Sequence, residues 1–343
     1  MRTKDWKCLL LLSFGLVSCS KSSQPGITGN SAPPAPANPT LAETPSTPQP
    51  VPSNGRGVKA EMRNVMFHLT SHSAALLEVL SGELWPTGNN AMVVFDDKDS
   101  FEVRVASGTV SISPEGLADI MNYHVFARKD APLKDISVSI DNGRLIIKGK
   151  LHSKGDLSFG TAGTLSVTPD GRLRVHTEKI TALRLPLKGV MGLFGIELAT
   201  VVNTSKIDGI ETDKNDLLID LGTLLPAPHI RGKVTGVRVE KNTIVTTFGD
   251  GGRSLPAPIE KGNYMTLQGN SVRFGKVIME QADLTVLDLD PGDPLDWNQD
   301  HYREQLVAGY SKINLNFGLR AYVKDYSKLG RSSARQGSKV PAN

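Results

Sequence analysis

Cysteine is nearly absent. Two occur in 343 residues, Cys8 and Cys19, both near the start. The remainder offers no internal disulfide, no thiol nucleophile and no thiolate metal site. Aromatic residues are also scarce, and no apolar run reaches the roughly 20 residues a membrane-spanning helix needs. Charge of either sign is not in excess. The chain carries +4, which falls to +2 without Arg2, Lys4, Lys7 and Asp5, too mild a balance to argue for nucleic acid. Enzyme signatures are missing as well. There is no GxSxG elbow. The glycine run at 249–252 lacks the Lys-Ser/Thr of a phosphate loop and the strand–GxGxxG–helix order of a dinucleotide fold, so it reads as a flexible loop. His68 and His72 are four apart, but their surroundings alternate like a strand rather than a zinc-protease helix, and they read as surface histidines.

What the chain does have is period-two alternation. Ile136, Val138 and Ile140 alternate with Ser137 and Ser139; Leu145, Ile147 and Leu151 with Lys148 and Lys150; Leu173 and Val175 with Arg172, Arg174 and His176. Asp141-Asn142-Gly143 and Pro169-Asp170-Gly171 separate these runs as hairpin turns do. The pattern predicts a meander of four long antiparallel strands with one apolar face, closed by an apolar helix over 189–202. Further strands are expected near 61–69, 74–85, 101–112, 237–248, 263–268, 271–279 and 282–289. A helix opens at Ser113-Pro114-Glu115, a sequence that caps, fixes the first turn and suits the positive helix end. A second is expected from Trp297 to Tyr310. The fold class is therefore mostly β with few helices (α+β).

Residues 1–18 have a basic start and an apolar core too short to span a bilayer, the shape of a secretory signal. Its end, Leu16-Val17-Ser18-Cys19, resembles the lipobox of bacterial lipoproteins. That resemblance implies diacylation of Cys19, and Ser20 after it resembles an outer-membrane sorting signal. The alternative is an ordinary signal peptide, or a short anchor, with a chance cysteine. Residues 19–57 are rich in Pro, Ser, Thr and Ala with almost no large apolar side chain, and read as a disordered tether. The folded part is expected at 58–325, and 326–343 as a basic disordered tail.

Asp288, Asp290, Asp293, Asp296 and Asp300 form the densest acidic cluster. Such carboxylates can hold calcium through hard oxygen ligands or serve as an acid/base pair, but two prolines and the non-EF-hand spacing favour a rigid turn. No catalytic residue, metal or cofactor is assigned.

Residues 113–249 resemble the LmeA-like phospholipid-binding family of the tubular lipid-binding (TULIP) group. The matching features are the helix start Ser113-Pro-Glu-Gly-Leu, Val138-Ser-Ile-Asp-Asn-Gly-Arg-Leu-Ile-Ile-Lys-Gly, Leu165-Ser-Val-Thr-Pro-Asp-Gly-Arg-Leu, Gly192-Leu-Phe-Gly, and the late hairpin from Ile230. The resemblance implies long curved antiparallel strands wrapping a helix around an apolar tunnel for acyl chains, with no catalytic residues. On that basis the expected lining is Leu117, Ile120 and Met121 of the helix, Leu145, Ile147, Leu165, Val167, Leu173 and Val175 of the strands, and Met191 and Phe194. The expected role is an envelope lipoprotein, anchored in the outer membrane facing the periplasm, that binds phospholipid or another acyl-chain ligand. The alternative is a non-catalytic scaffold with a fully packed core. Protein partners are not legible.

Overall fold

The computed structural model describes residues 56–152, 156–178, 180–182 and 197–330. Strands β1 (Val58–His68) and β2 (Ala74–Pro86) form the first hairpin. Thr70 ties its turn, its hydroxyl oxygen accepting from the backbone N–H groups of His72 and Ser73. After the short β3 (Val93–Val94), β4 (Phe101–Ile112) pairs with the other edge of β2. The two backbones meet closely at a bulge beside Gly82, where a Cβ would lie 2.1 Å from the Arg104 carbonyl oxygen, so only glycine fits.

Helix α1 (Pro114–Ile120) starts as its sequence predicts, with the Ser113 hydroxyl oxygen accepting from the Gly116 N–H. A π-turn, Met121–Val125, prolongs it. Then β5 (Leu133–Asp141), β6 (Arg144–Leu151), β7 (Leu157–Val167) and β8 (Leu173–Thr177) pair antiparallel in chain order. This is the predicted meander. Asn142 and Gly143 both take positive φ, 49° and 75°, the requirement of the tight turn between β5 and β6. A bulge between Lys134 and Ser137 breaks the period in β5 and brings Leu133 and Ile136 to the same side.

The chain continues through β9 (Thr181–Ala182), α2 (Leu198–Val201), β10 (Ile210–Asp213), β11 (Asp216–Ile219) and α3 (Leu221–Leu224). Next come β12 (His229–Arg231), β13 (Val234–Glu240), β14 (Thr243–Phe248), β15 (Tyr264–Gly269), β16 (Val272–Phe274), β17 (Val277–Met279) and β18 (Ala282–Asp288). The last elements are β19 (Leu295–Trp297), α4 (Tyr302–Val307), β20 (Tyr310–Ile313) and β21 (Leu319–Val323).

Two large sheets result. The first has the order β13-β14-β4-β2-β1-β15-β18-β21-β20, with β12 on β4 and β19 on β1. The second is β10-β11-β8-β7-β6-β5, with β9 on β7; a small third sheet joins β17, β16 and β3. The protein is β-rich, with mostly antiparallel pairing and a few short helices. Among the described residues no helix is long and apolar enough to cross a membrane.

Four local expectations change. The strand expected over 271–279 is a hairpin, because Gly275 takes φ 63° and turns the chain between β16 and β17. Trp297 is not helical: it lies fully buried in β19 beside Phe67 of β1, and α4 begins only after a 3-10 turn capped by Asn298. The loop at 249–252 is pinned rather than free. The Asp250 carboxylate accepts hydrogen bonds from the Ser107 hydroxyl and from the N–H groups of Gly252 and Ser254, which hold its pKa well below the usual carboxylate range. Residues 326–328 form a 3-10 turn rather than part of a disordered tail. Of the helix expected over 189–202, only Leu198–Val201 is seen as helix; 189–196, with Met191 and Phe194, lie outside the described residues, as do Cys19 and the tether up to residue 55.

Candidate functional site

Both large sheets turn apolar side chains toward one cavity of about 240 Å³. The second sheet supplies Leu133, Ile136 and Val138 of β5, Leu145 and Ile147 of β6, Phe159 and Leu165 of β7, and Leu173 and Val175 of β8. The first sheet supplies Val103, Val105, Val110 and Ile112 of β4, Leu77 and Leu80 of β2, and Ile244 and Phe248 of β14. Leu117, Ile120 and Met121 of the α1 segment, Leu198 of α2, and Leu221 and Leu224 of α3 complete the wall. The alternation of each strand explains the arrangement: the residues between these, such as Lys148, Arg174 and His176, face outward.

Of the expected lining, eight residues border this cavity: Leu117, Ile120, Met121, Leu145, Ile147, Leu165, Leu173 and Val175. Val167 does not. It pairs with Leu173 at the end of β7 and packs half-buried against the core, beyond the cavity. The opposite wall was missed. Its alternation is visible in the sequence, at Val103 and Val105 and at Ile244 and Phe248, but periodicity does not say which two sheets face each other.

Few polar groups reach the cavity, and most are committed elsewhere. The Thr161 hydroxyl donates to the Glu178 carbonyl at 2.9 Å and that of Thr177 to the Asn215 carbonyl at 2.7 Å. The Gln299 amide donates to the Phe95 carbonyl, and Lys98 pairs with Asp300 at 2.6 Å. Pinned in this way, these side chains offer a ligand little beyond shape and apolar surface.

His68 also borders the cavity and is half-buried, not a surface residue; its Nε2 lies 2.6 Å from Asp296 Oδ1. His72 is exposed and stacks on Tyr123. Burial alone would raise the Asp296 pKa, but its hydrogen bonds with His68 and with the Ser327 N–H outweigh burial and hold it below the usual range. The native state therefore favours the carboxylate. This contribution is present above the unfolded carboxyl value near 3.9 and is lost as pH falls through the lower folded value. Asp296→Asn should be less stable at pH 7 and show a shallower acid decline. Urea midpoints at pH 7 and pH 3 check this, and equal midpoints for parent and variant at both pH values would refute it.

The acidic cluster is dispersed. Asp288 accepts from Asn263, Asp296 meets His68 and Asp300 meets Lys98. Asp290 and Asp293 instead converge with Asp325, the one group of three acids placed for a cation among the described residues. The Lys328 ammonium lies 2.7 Å from Asp290, 3.2 Å from Asp293 and 2.9 Å from Asp325. Hydrogen bonds to Asp290 and Asp325 push the Lys328 pKa up, so this cationic side chain fills the place that a calcium ion would take.

No protein-family model, curated protein or solved structure matches this chain.

Proposed function

We propose that this protein is a non-catalytic binder of acyl chains, and that the observation carrying this reading is the size and chemistry of the cavity between its sheets. Protein interiors rarely leave voids larger than a water molecule. An apolar cavity of about 150 Å³ stays dry and admits a benzene ring; the present one is about 240 Å³ and almost wholly apolar. That volume suits one acyl chain, or part of one, better than a whole two-chain lipid. Each methylene buried contributes about 0.8 kcal/mol, so ten give roughly 8 kcal/mol before the costs of association. No head-group contact is required for useful affinity.

The resemblance to the LmeA-like family and its tubular lipid-binding scaffold supports the same reading, including curved strands wrapped about α1. The lipobox-like end at Cys19 supports an address on a membrane of the bacterial cell envelope, as an outer-membrane lipoprotein facing the periplasm. Transfer or storage of phospholipid would follow from such an address.

The test is native mass spectrometry with organic extraction of the chain from Gly57 onward, purified from bacterial cytoplasm. A co-purifying lipid is expected, lost in Ile120→Asp while circular dichroism retains the β signature. A clean apo mass, with no uptake from added liposomes, would transfer the weight to a scaffold whose apolar faces bind no ligand.

A further inference from the structure

The outer edge of the first sheet ends in an apolar finger. Strands β20 and β21 are joined by a turn over 314–318, and the side chains at its tip stand in solvent: Ile313 is 72% exposed, Leu315 99% and Phe317 90%. Large exposed apolar side chains are common singly, but three within five residues form a patch that needs a reason. The turn is also rigid. Asn314 Oδ1 accepts from the N–H groups of Asn316 and Gly318, and the Asn314 N–H donates to the Gly318 carbonyl at 2.8 Å. Phe317 takes φ 61°, in the left-handed region that bulky residues avoid. Packing within the chain does not offset that strain, because its ring is almost wholly exposed. Strain held at an exposed site is a pointer to function.

Behind the tip lies a different chemistry. Tyr310 and Tyr322, paired across β20 and β21, stack with ring centroids 4.6 Å apart. Lys312 Nζ lies over both rings, at 5.3 and 5.5 Å. The tyrosines sit three residues behind Ile313, or about 10 Å at the rise of a strand. Apolar tip first, then tyrosine and lysine about 10 Å back, is the order that a bilayer surface selects: acyl boundary, then head groups. A protein partner would be expected to bury about 800 Å² per side, more than a five-residue turn presents.

We propose that the β20–β21 turn is a membrane-docking finger, with Ile313, Leu315 and Phe317 entering the acyl boundary of a lipid bilayer and Lys312, Tyr310 and Tyr322 at head-group level. None of these residues lines the cavity, so docking is separable from acyl-chain binding. Both would serve one purpose if the cavity exchanges its ligand with the bilayer.

The experiment uses the chain from Ser20 onward, so that neither the apolar 1–18 segment nor acylation of Cys19 can contribute, with vesicles of phosphatidylcholine and phosphatidylglycerol in equal parts. Phe317→Trp places a reporter at the tip. Its fluorescence, taken as the difference from the parent, should shift to the blue and be quenched by lipids brominated near the top of the acyl chain. Leu315→Asp with Phe317→Asp should weaken co-sedimentation by about tenfold or more while leaving the thermal midpoint unchanged, since apolar burial and not folding is lost. An unquenched reporter in the Phe317→Trp variant, or co-sedimentation of the double variant equal to that of the parent, would overturn the proposal. So would lipid-free self-association abolished by the double variant, which would assign the finger to a second copy. Ligand retention in the cavity should be unaltered by the double variant, which separates failure of the finger from failure of the acyl-chain reading.

Discussion

Gln305→Ala is expected to destabilise the fold by about 4 kcal/mol, close to a thousandfold in the ratio of folded to unfolded chains. Gln305 has no exposed surface. Its Oε1 accepts from the Asn298 N–H at 2.9 Å, and its Nε2 donates to the carbonyls of Asp296 at 2.8 Å and Lys324 at 2.9 Å. One side chain on α4 thus completes the hydrogen bonding of β19, of the turn after it and of the exit from β21. Truncation strips the buried Asn298 N–H and the part-buried carbonyls of Asp296 and Lys324 of this partner, at about 1–3 kcal/mol for the buried group and less for each of the other two, which water reaches in part. Against a typical total of about 5–15 kcal/mol, that is a large share. Gln305→Glu should not rescue it, because a second carboxylate oxygen would face two carbonyls. Urea unfolding at unchanged slope checks both variants. A loss below about 1 kcal/mol would mean that bound water replaces the amide. The effect reaches the cavity, since β19 also carries Asp296, the partner of His68.

Such a clamp was not legible in the sequence, and the contrast with what was legible is physical. The hairpins of the meander announce themselves because their turns are local: Asn142-Gly143 needs positive φ, and the flanking runs alternate with period two. The α1 start was equally local, written in Ser113, Pro114 and Glu115. Non-local pairing leaves no such mark. β1 pairs along one half with β15, about two hundred residues away, and along the other with β19 in parallel. Nothing in the sequence around Trp297 distinguishes the end of a strand from the first residue of the helix expected to begin there; the decision comes from Phe67 alongside it. The cavity divides in the same way. One wall follows from the alternation of β6 to β8, whereas the wall from β4 and β14 depends on how two sheets stack. The partners of the acidic cluster were not legible for a third reason. Its carboxylates are neighbours along the chain but not in space: Asp288, Asp296 and Asp300 each take a separate partner, whereas Asp290 and Asp293 share Lys328 with Asp325, and both of those residues come from beyond the cluster.

Val110→Phe with Ile147→Phe should abolish lipid retention, with at least a tenfold fall in bound ligand, while leaving stability unchanged or slightly raised. The two positions face the cavity from opposite sheets and are only half-buried, so added ring atoms have free space to enter. In a fully packed core the same enlargement would force side chains off their rotamers, at about 1–3 kcal/mol per site. The sign of the stability change therefore discriminates between the two readings of the apolar faces. Free volume predicts new van der Waals contacts and a neutral or favourable change. A packed scaffold predicts a loss of several kcal/mol and no ligand to displace. The double variant also separates occupancy from polarity, which Ile120→Asp does not, because a carboxylate changes the polarity of the wall as well as its shape. Urea midpoints read the first quantity and extracted lipid per protein the second. Retained lipid in a stable double variant would mean that the acyl chain sits elsewhere. Lost lipid with retained stability would fix the chain between β4 and β6, where both rings point.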